Sequence, residues 1–333
     1  MGAVLTQRRR AAPPPSARRR RRTRPAGPLG GPGFLLYLVP SVVLFAGVIA
    51  VPFAMNLYVS FTAWTGVGTP HWIGLANYRF LATNDPLFWI AVRNTLWIIA
   101  VGVPARVVFA IATAMLLTKA RRGVGLFRTI FYLPTLAPPV AATLGFVYLL
   151  NPSTGPVDQL LRRLHLPAPL WFHDPAWAKP ALVLLALWGV GDLMIIFLAS
   201  LLDVPAQLYE AASIEGANAW QKVRHVTLPM ISPVILFAVI IGVIDGLQYF
   251  TQGYVAAVTA GGSAFGAGHS LGLGYPQDST LFYSVWLYQQ GFGYFHMGYA
   301  SALAWVLFLV TLAFTLLLLR SSTRWVHYQG GVR

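Results

Sequence analysis

The sequence predicts an all-α protein that crosses a membrane six times. Apolar residues make up 56% of its 333 residues and charged residues only 10%, whereas roughly 25% of the residues in soluble domains are charged. Six apolar stretches are long enough to cross the hydrocarbon core of a bilayer as helices. Most basic residues outside these stretches fall on one side of the expected membrane, as the positive-inside bias requires.

The apolar stretches define the expected spans. The first runs from Phe34 to Phe61, 28 residues, and is too long for the apolar region of a cleaved signal peptide, so we expect it to stay as an anchor. The other five form an expected permease core over residues 88–320. They lie at Phe88–Leu117, Phe127–Leu150, Pro180–Leu202, Pro229–Tyr254 and Met297–Leu319. Prolines at positions 40, 52, 104, 134, 138 and 139 predict kinks or breaks inside the spans.

The first 33 residues form a basic tail that carries nine arginines. Its Pro, Ala and Gly content and its lack of apolar residues are typical of disorder. A nucleic-acid-binding arm is one interpretation. Directly before a span, however, the tail favours retention in the cytoplasm and attraction to anionic lipid, with no nucleic-acid partner.

The loops test this orientation. An even number of spans returns the C-terminal tail, residues 321–333, to the cytoplasm. The segments expected inside then hold 18 Lys and Arg residues, and those expected outside hold 4. The sequence therefore predicts a multi-pass cell-membrane protein with both termini cytoplasmic.

The loop between the fourth and fifth spans, residues 205–229, is the most informative segment. Good helix formers run from Leu208 to Ile214, Gly216 predicts a turn, and a second short helix is expected from Asn218 to Val226, ended by Pro229. Two short amphipathic helices hinged at a glycine predict a compact knob on the cytoplasmic face.

This loop resembles the signature of ABC importer permeases, which reads Glu-Ala-Ala, three residues, Gly, and later Leu-Pro. The matching positions are Glu210, Ala211, Ala212, Gly216, Leu228 and Pro229. Glu215, Val223 and Val226 replace the usual Asp, Phe and Ile. Stretches at 93–117, 126–134, 150–155 and 288–302 are similar to the maltose-type, carbohydrate-uptake branch, so the resemblance covers about residues 34–320.

The resemblance implies an ABC type I importer permease fold that passes a mono- or oligosaccharide delivered by an extracytoplasmic binding protein. It implies that the loop, including Ala217, docks on an ATPase. The implied partners are a second homologous permease in a heterodimer, two ATP-binding cassette subunits and the binding protein. ATP and Mg²⁺ would bind the partner ATPase, and no cofactor is expected in this chain.

The sequence itself has no motif for an energy source or for catalysis. It contains no Gly-x-x-x-x-Gly-Lys-Ser/Thr loop, no Gly-x-Ser-x-Gly elbow and no His-Glu-x-x-His motif. It has no cysteine, and its seven histidines are not at ligand spacing. We therefore expect neither catalytic residues nor a metal site. The alternatives to an ABC permease are an ion-gradient-driven secondary transporter or channel, and a membrane scaffold or sensor.

Charged side chains inside spans are candidates for the substrate path, because they are costly in lipid. They are Arg106, Asp192 and Asp245. Gln248, Tyr249 and Gln252 follow Asp245 at helical spacings, so one face would carry amides, a carboxylate and a ring. Such a face suits a hydroxyl-rich solute.

A purely structural interpretation of these residues stays open. Arg106 and Asp245 can neutralise each other between helices, and Asp192, beside two glycines, can serve helix packing. Trp188 is expected to face lipid or the core rather than a sugar.

Overall fold

The computed structural model describes residues 33–119, 123–262, 273–323 and 326. The predictions for the basic tail before Gly33 and for most of the C-terminal tail concern residues outside the described ranges, as do residues 120–122 and 263–272. The chain divides into two compact units between Ala54 and Met55.

A helical run opens the described part of the chain. It consists of α1, Gly33–Phe45, a π-helical turn, Ala46–Ala50, and α2, Val51–Ser60. From Leu38 to Ser60 the run is apolar and long enough to cross a membrane, where the sequence predicts the first span. Pro40 lies inside α1, and Pro52 follows the π-helical turn.

A small hairpin and a short helix come next. Strands β1, Thr62–Ala63, and β2, His71–Trp72, pair antiparallel, with Thr62 opposite Trp72. Helix α3, Ala76–Thr83, follows. The Asn77 amide Nδ2 donates to the carbonyl oxygens of Ser60 (2.9 Å) and Thr62 (3.0 Å), which fixes α3 against the hairpin.

Two further helices, α4, Pro86–Lys119, and α16, Met297–Ser322, are long and apolar enough to cross a membrane unbroken. Three bent pairs supply the rest. In the first pair, α5, Val124–Tyr132, and the 3-10 turn Leu133–Leu136 meet α6, Pro139–Leu149, at a bend of 101°. In the second, α8, Pro175–Trp188, meets α9, Gly191–Leu202, at 51°. In the third, the helical run Ala219–Met230 meets α13, Ser232–Leu247, at 69°.

The prediction of an all-α polytopic protein is confirmed, with six spans when each bent pair counts as one. The prolines have unequal effects. Pro134, Pro138 and Pro139 lie at the sharpest bend, as predicted, because proline cannot donate to the helical ladder. Pro104 instead lies inside the unbroken 34-residue helix α4.

The remaining elements connect the spans or, from Ala219 to Met230, make up the first part of the third bent pair. They are α7, Pro156–Arg163; a 3-10 turn, Trp171–His173; α10, Ala206–Ile214; α11, Ala219–Lys222; a π-helical turn, Val223–Thr227; α12, Leu228–Met230; α14, Thr251–Ala260; α15, Tyr283–Tyr288; and a π-helical turn, Gln289–Gly293.

Helix α4 is central in the second unit and packs against α8, α9, α13 and α15. Gly246 on α13 permits its close approach, because a Cβ there would lie 2.6 Å from Cγ1 of Ile99 on α4. Two apolar clusters form the core. One includes Phe172, Phe282 and Leu303, and the other includes Met194, Phe197 and Ile231.

Candidate functional site

An ion pair joins two of the central spans. The Arg106 guanidinium on α4 donates from Nη2 to both carboxylate oxygens of Asp192, at 3.0 and 3.1 Å. Asp192 lies in the first turn of α9, where the positive end of the helix dipole also stabilises a carboxylate. Arg106 therefore forms its ion pair with Asp192; Asp245, the partner named in the structural interpretation, makes no hydrogen bond to Arg106.

Two cavities adjoin this ion pair. An apolar cavity of about 280 Å³ lies between α4, α8, α9 and α13, and a more polar one of about 450 Å³ lies between α8, α13 and the bend before α6. They share one wall, made of Arg106, Ala186, Asp192, Asp245 and Tyr249. The structure thus brings all three charged candidates to one place. Asp245 has no hydrogen bond or ion pair with another described residue, so its carboxylate is available to a solute.

The polar cavity gathers the other candidates. Gln248, Tyr249 and Gln252 all line it. They do not lie on one helix as predicted, because α13 ends at Leu247 and α14 begins only at Thr251. The three side chains nevertheless lie in the same cavity wall.

Trp188 also lines the polar cavity, next to Gln248 and Gln252. The expectation that it faces lipid or the core is therefore incomplete, since its ring contacts Phe146 on one side and the cavity on the other. The fourth span breaks between Trp188 and Gly191, and the glycines at 189 and 191 are the signal of that break in the sequence. The cavity combines a ring, two amides and two carboxylates, groups that can orient a hydroxyl-rich ligand.

The predicted knob between the fourth and fifth spans is present, and Gly216 is its turn. Gly216 has φ +80°, a left-handed conformation that favours glycine. Helix α10 ends in a Schellman motif, in which the Ala217 N–H donates to the Ala212 carbonyl (2.9 Å) and the Gly216 N–H to the Ser213 carbonyl (3.1 Å).

The second helix of the knob begins in a capping box. The Gln221 N–H donates to Asn218 Oδ1 (2.9 Å), and the Asn218 N–H donates to Gln221 Oε1 (2.7 Å). The expected helix end at Pro229 is wrong, since the helical run continues to Met230. Pro229 lies in the first turn of α12, directly after the π-helical turn, where the missing N–H of a proline is tolerated.

The knob is tied to itself and to the core. The hydroxyl groups of Tyr209 and Thr227 are hydrogen-bonded at 3.0 Å and so connect its two helices. Tyr209, Val226 and Leu228 pack on the core cluster around Phe197, which also contains residues of α4 and α9. A displacement of the knob would therefore act directly on the helices that carry Arg106 and Asp192.

The expected coupling residues differ in exposure. Glu210, Ala211 and Gly216 are exposed, while Ala212, Ala217, Leu228 and Pro229 are half-buried. The motif does not include Ile214 and Trp220, whose exposed fractions are 89% and 67%. The sequence gives only a weak indication of a role for them, since they are simply large apolar residues on either side of the hinge glycine.

Comparison with known proteins identifies this arrangement. Residues 106–326 match the family described as binding-protein-dependent transport system inner membrane component. The chain belongs to this family of permeases. It is 34% identical to the probable ABC transporter permease protein YesP of Bacillus subtilis, over 88% of this chain and 91% of that protein. It is 31% identical to the lactose transport system permease protein LacF of Rhizobium radiobacter, over 83% and 89% of the two chains.

A solved structure confirms the fold of the permease. A bacterial alginate ABC transporter, crystallised with its oligosaccharide-bound periplasmic protein, contains a chain with a TM-score of 0.69 and 23% identity, over 87% of this chain and 94% of that one. The prediction of an ABC importer permease is confirmed, and membership in this family decides against the ion-gradient-driven transporter. The protein is a membrane component of a binding-protein-dependent transporter.

Proposed function

We propose that this permease carries a mono- or oligosaccharide along the two cavities beside Arg106, after delivery by an extracytoplasmic binding protein. The observation that carries the proposal is the polar cavity, where Trp188, Gln248 and Gln252 stand beside Asp192 and Asp245. Amides and carboxylates hydrogen-bond hydroxyl groups, and an aromatic face packs on the apolar face of a sugar ring. The similarity to a lactose transport permease supports the same substrate class.

The energy source is proposed to be a separate pair of ATPase subunits that bind ATP and Mg²⁺ and dock on the knob. Support comes from the exposed apolar side chains of Ile214 and Trp220 on the knob, because exposed apolar groups of this kind mark protein interfaces. In this arrangement a second, related permease completes the translocation path. The knob and both termini then lie in the cytoplasm, in agreement with the distribution of Lys and Arg.

Vesicle uptake tests the proposal. Vesicles that contain the permease, its partner permease, the ATPase pair and the binding protein should concentrate a labelled saccharide only when ATP is present. Vesicles without the ATPase pair should show no concentration. Uptake driven by an ion gradient in the absence of ATP would contradict the proposal.

The docking surface has its own test. Replacing Trp220 with Ser should weaken binding of the ATPase by about tenfold, because an aromatic anchor in an interface is worth about 1–2 kcal/mol. Val67→Ser is the matched control, since Val67 is 84% exposed and lies in the hairpin loop away from the knob. Co-purification and titration of the ATPase measure both variants, and an equal loss in both would contradict docking at Trp220.

A further inference from the structure

We propose that an open cleft at the N-terminal end of α16 is a second saccharide-binding site, separate from the two cavities beside Arg106. This hairpin cleft has a volume of about 560 Å³. Its lining includes Trp64, Asn77, Phe80, Gln290, Tyr294 and His296. It shares no lining residue with the other two cavities.

Three features of the backbone shape the cleft. The Gly298 N–H donates to the Trp64 carbonyl (3.1 Å), so the hairpin is fixed to the start of α16. The π-helical turn Gln289–Gly293 brings Gln290 to the opposite side. Phe295, just before α16, has φ +57°, a conformation rare for an aromatic residue. π-helical turns and unfavourable φ values of this kind are concentrated at functional sites.

Several polar groups in the lining have unused hydrogen-bonding capacity. Gln290 is only 7% exposed, and its Oε1 lies 2.9 Å from Nδ1 of His296. An amide oxygen can only accept, so Nδ1 donates, and Nε2 of the neutral ring is left as an acceptor. The Gln290 amide Nε2 and the Tyr294 hydroxyl have no partner among the described residues. Asn77 uses its Nδ2 for backbone carbonyls, which leaves its Oδ1 as an acceptor.

The residue types that line the cleft indicate which class of ligand fits it. None of the described residues that line the cleft is Asp, Glu, Lys or Arg, so a phosphate headgroup or a charged peptide would find no counter-charge. Aromatic rings and neutral donors and acceptors together match a sugar ring, which has an apolar face and a rim of hydroxyl groups. The volume is in the range of small-molecule sites. The ligand class is therefore a neutral saccharide.

The inference rests on the proposed function, since a saccharide must reach this face of the transporter. The absence of cysteine from the chain permits a local reporter. A fluorophore attached to Thr65→Cys, at the edge of the cleft, should respond saturably to neutral sugars in the reconstituted transporter without its binding protein. The same label on Val67→Cys, which does not line the cleft, should not respond. The probes are lactose, maltotriose and arabinotriose, with digalacturonate as the acidic comparison.

Variants in the labelled background locate the site. Tyr294→Ala should raise the midpoint of the titration about tenfold, and Tyr294→Phe about threefold, since it loses only the hydroxyl. Phe292→Ala is the control, because Phe292 is an exposed neighbouring ring outside the lining, and its midpoint should stay unchanged. Tyr294→Phe changes one exposed atom and leaves the fold intact, so its result stands even if Tyr294→Ala misfolds.

No response to any neutral sugar, or an equal response to digalacturonate, would overturn the inference. ATP-driven uptake, measured separately, tests the proposed function. If the label responds to sugars but no uptake occurs, the second binding site stands and the proposed transport function is rejected. If uptake occurs but the label does not respond, the transport function stands and the second site is rejected.

Discussion

The knob of this permease is held together by contacts between residues close in sequence, whereas its cavities depend on contacts between residues far apart in sequence. Every hydrogen bond described above within the knob joins residues at most 18 positions apart, as between Tyr209 and Thr227. The ion pair beside the cavities joins Arg106 and Asp192, 86 positions apart, and the cavity wall is completed by α13. The turn and caps of the knob can therefore be predicted from local sequence, whereas the apolar cavity forms only after three spans have packed and the polar cavity only after four.

This difference has a functional consequence. A substitution in the knob should change the coupling of ATP hydrolysis to transport and leave the bundle stable. A substitution in the ion pair should destabilise the bundle and leave the knob folded. Three substitutions test this contrast.

The largest expected effect is that of Asp192→Ala, which leaves Arg106 charged and unpaired within a span. The expected loss of stability is about 2 kcal/mol, below the roughly 3–5 kcal/mol for breaking a fully buried pair, because both side chains are partly exposed. Thermal unfolding of the purified permease measures it. Asp203→Ala is the matched control, since Asp203 is exposed at the C-cap of α9; similar losses in both would mean that the ion pair does not hold the spans together.

Gly216→Val should have an intermediate effect that is confined to the knob. A Cβ at this position meets nothing within 4 Å, so the cost comes from the left-handed backbone and is about 1–2 kcal/mol. ATP-dependent uptake should fall, while the thermal unfolding of the bundle stays within about 0.5 kcal/mol of the parent protein. Gly216→Asn should keep most of the uptake, because Asn tolerates this conformation. Equal loss in both variants would show that the hinge conformation is not the cause.

Tyr209→Phe should have the smallest effect. It removes the hydrogen bond to Thr227 but keeps the ring packed on the core, for a loss of about 0.5–1 kcal/mol. Hydrogen exchange of the amides in α10 should become faster. Tyr148→Phe is the control, since Tyr148 is 66% exposed on α6; unchanged exchange in Tyr209→Phe would mean that packing alone joins the two helices.

Predictions from the sequence succeeded where the signal is local. The apolar stretches indicate the spans because a helix in lipid must satisfy its backbone internally. The turn at Gly216 follows from the φ that only glycine adopts freely. The predicted end of the second knob helix at Pro229 is wrong by one residue, because Pro229 lies in the first turn of α12, where a proline does not stop the helix.

The sequence leaves open which charged side chains meet across the bundle. Arg106, Asp192 and Asp245 were identified as candidates because charges in spans are costly. Their pairing depends on which helices α4 contacts and at which register, and no spacing in the sequence encodes it. The place of Trp188 in the polar cavity likewise depends on side chains from other spans.

The sequence by itself determined that this chain is a helical membrane protein with a glycine-hinged knob, because hydropathy, charge bias and turn chemistry act over short distances. The motif in that knob also resembles the ABC permease signature. Only the tertiary structure decided that Arg106 pairs with Asp192, that two cavities share that wall, and that a neutral aromatic cleft forms between the hairpin and α16. These features arise from side chains far apart in the chain, which meet only when the helices pack.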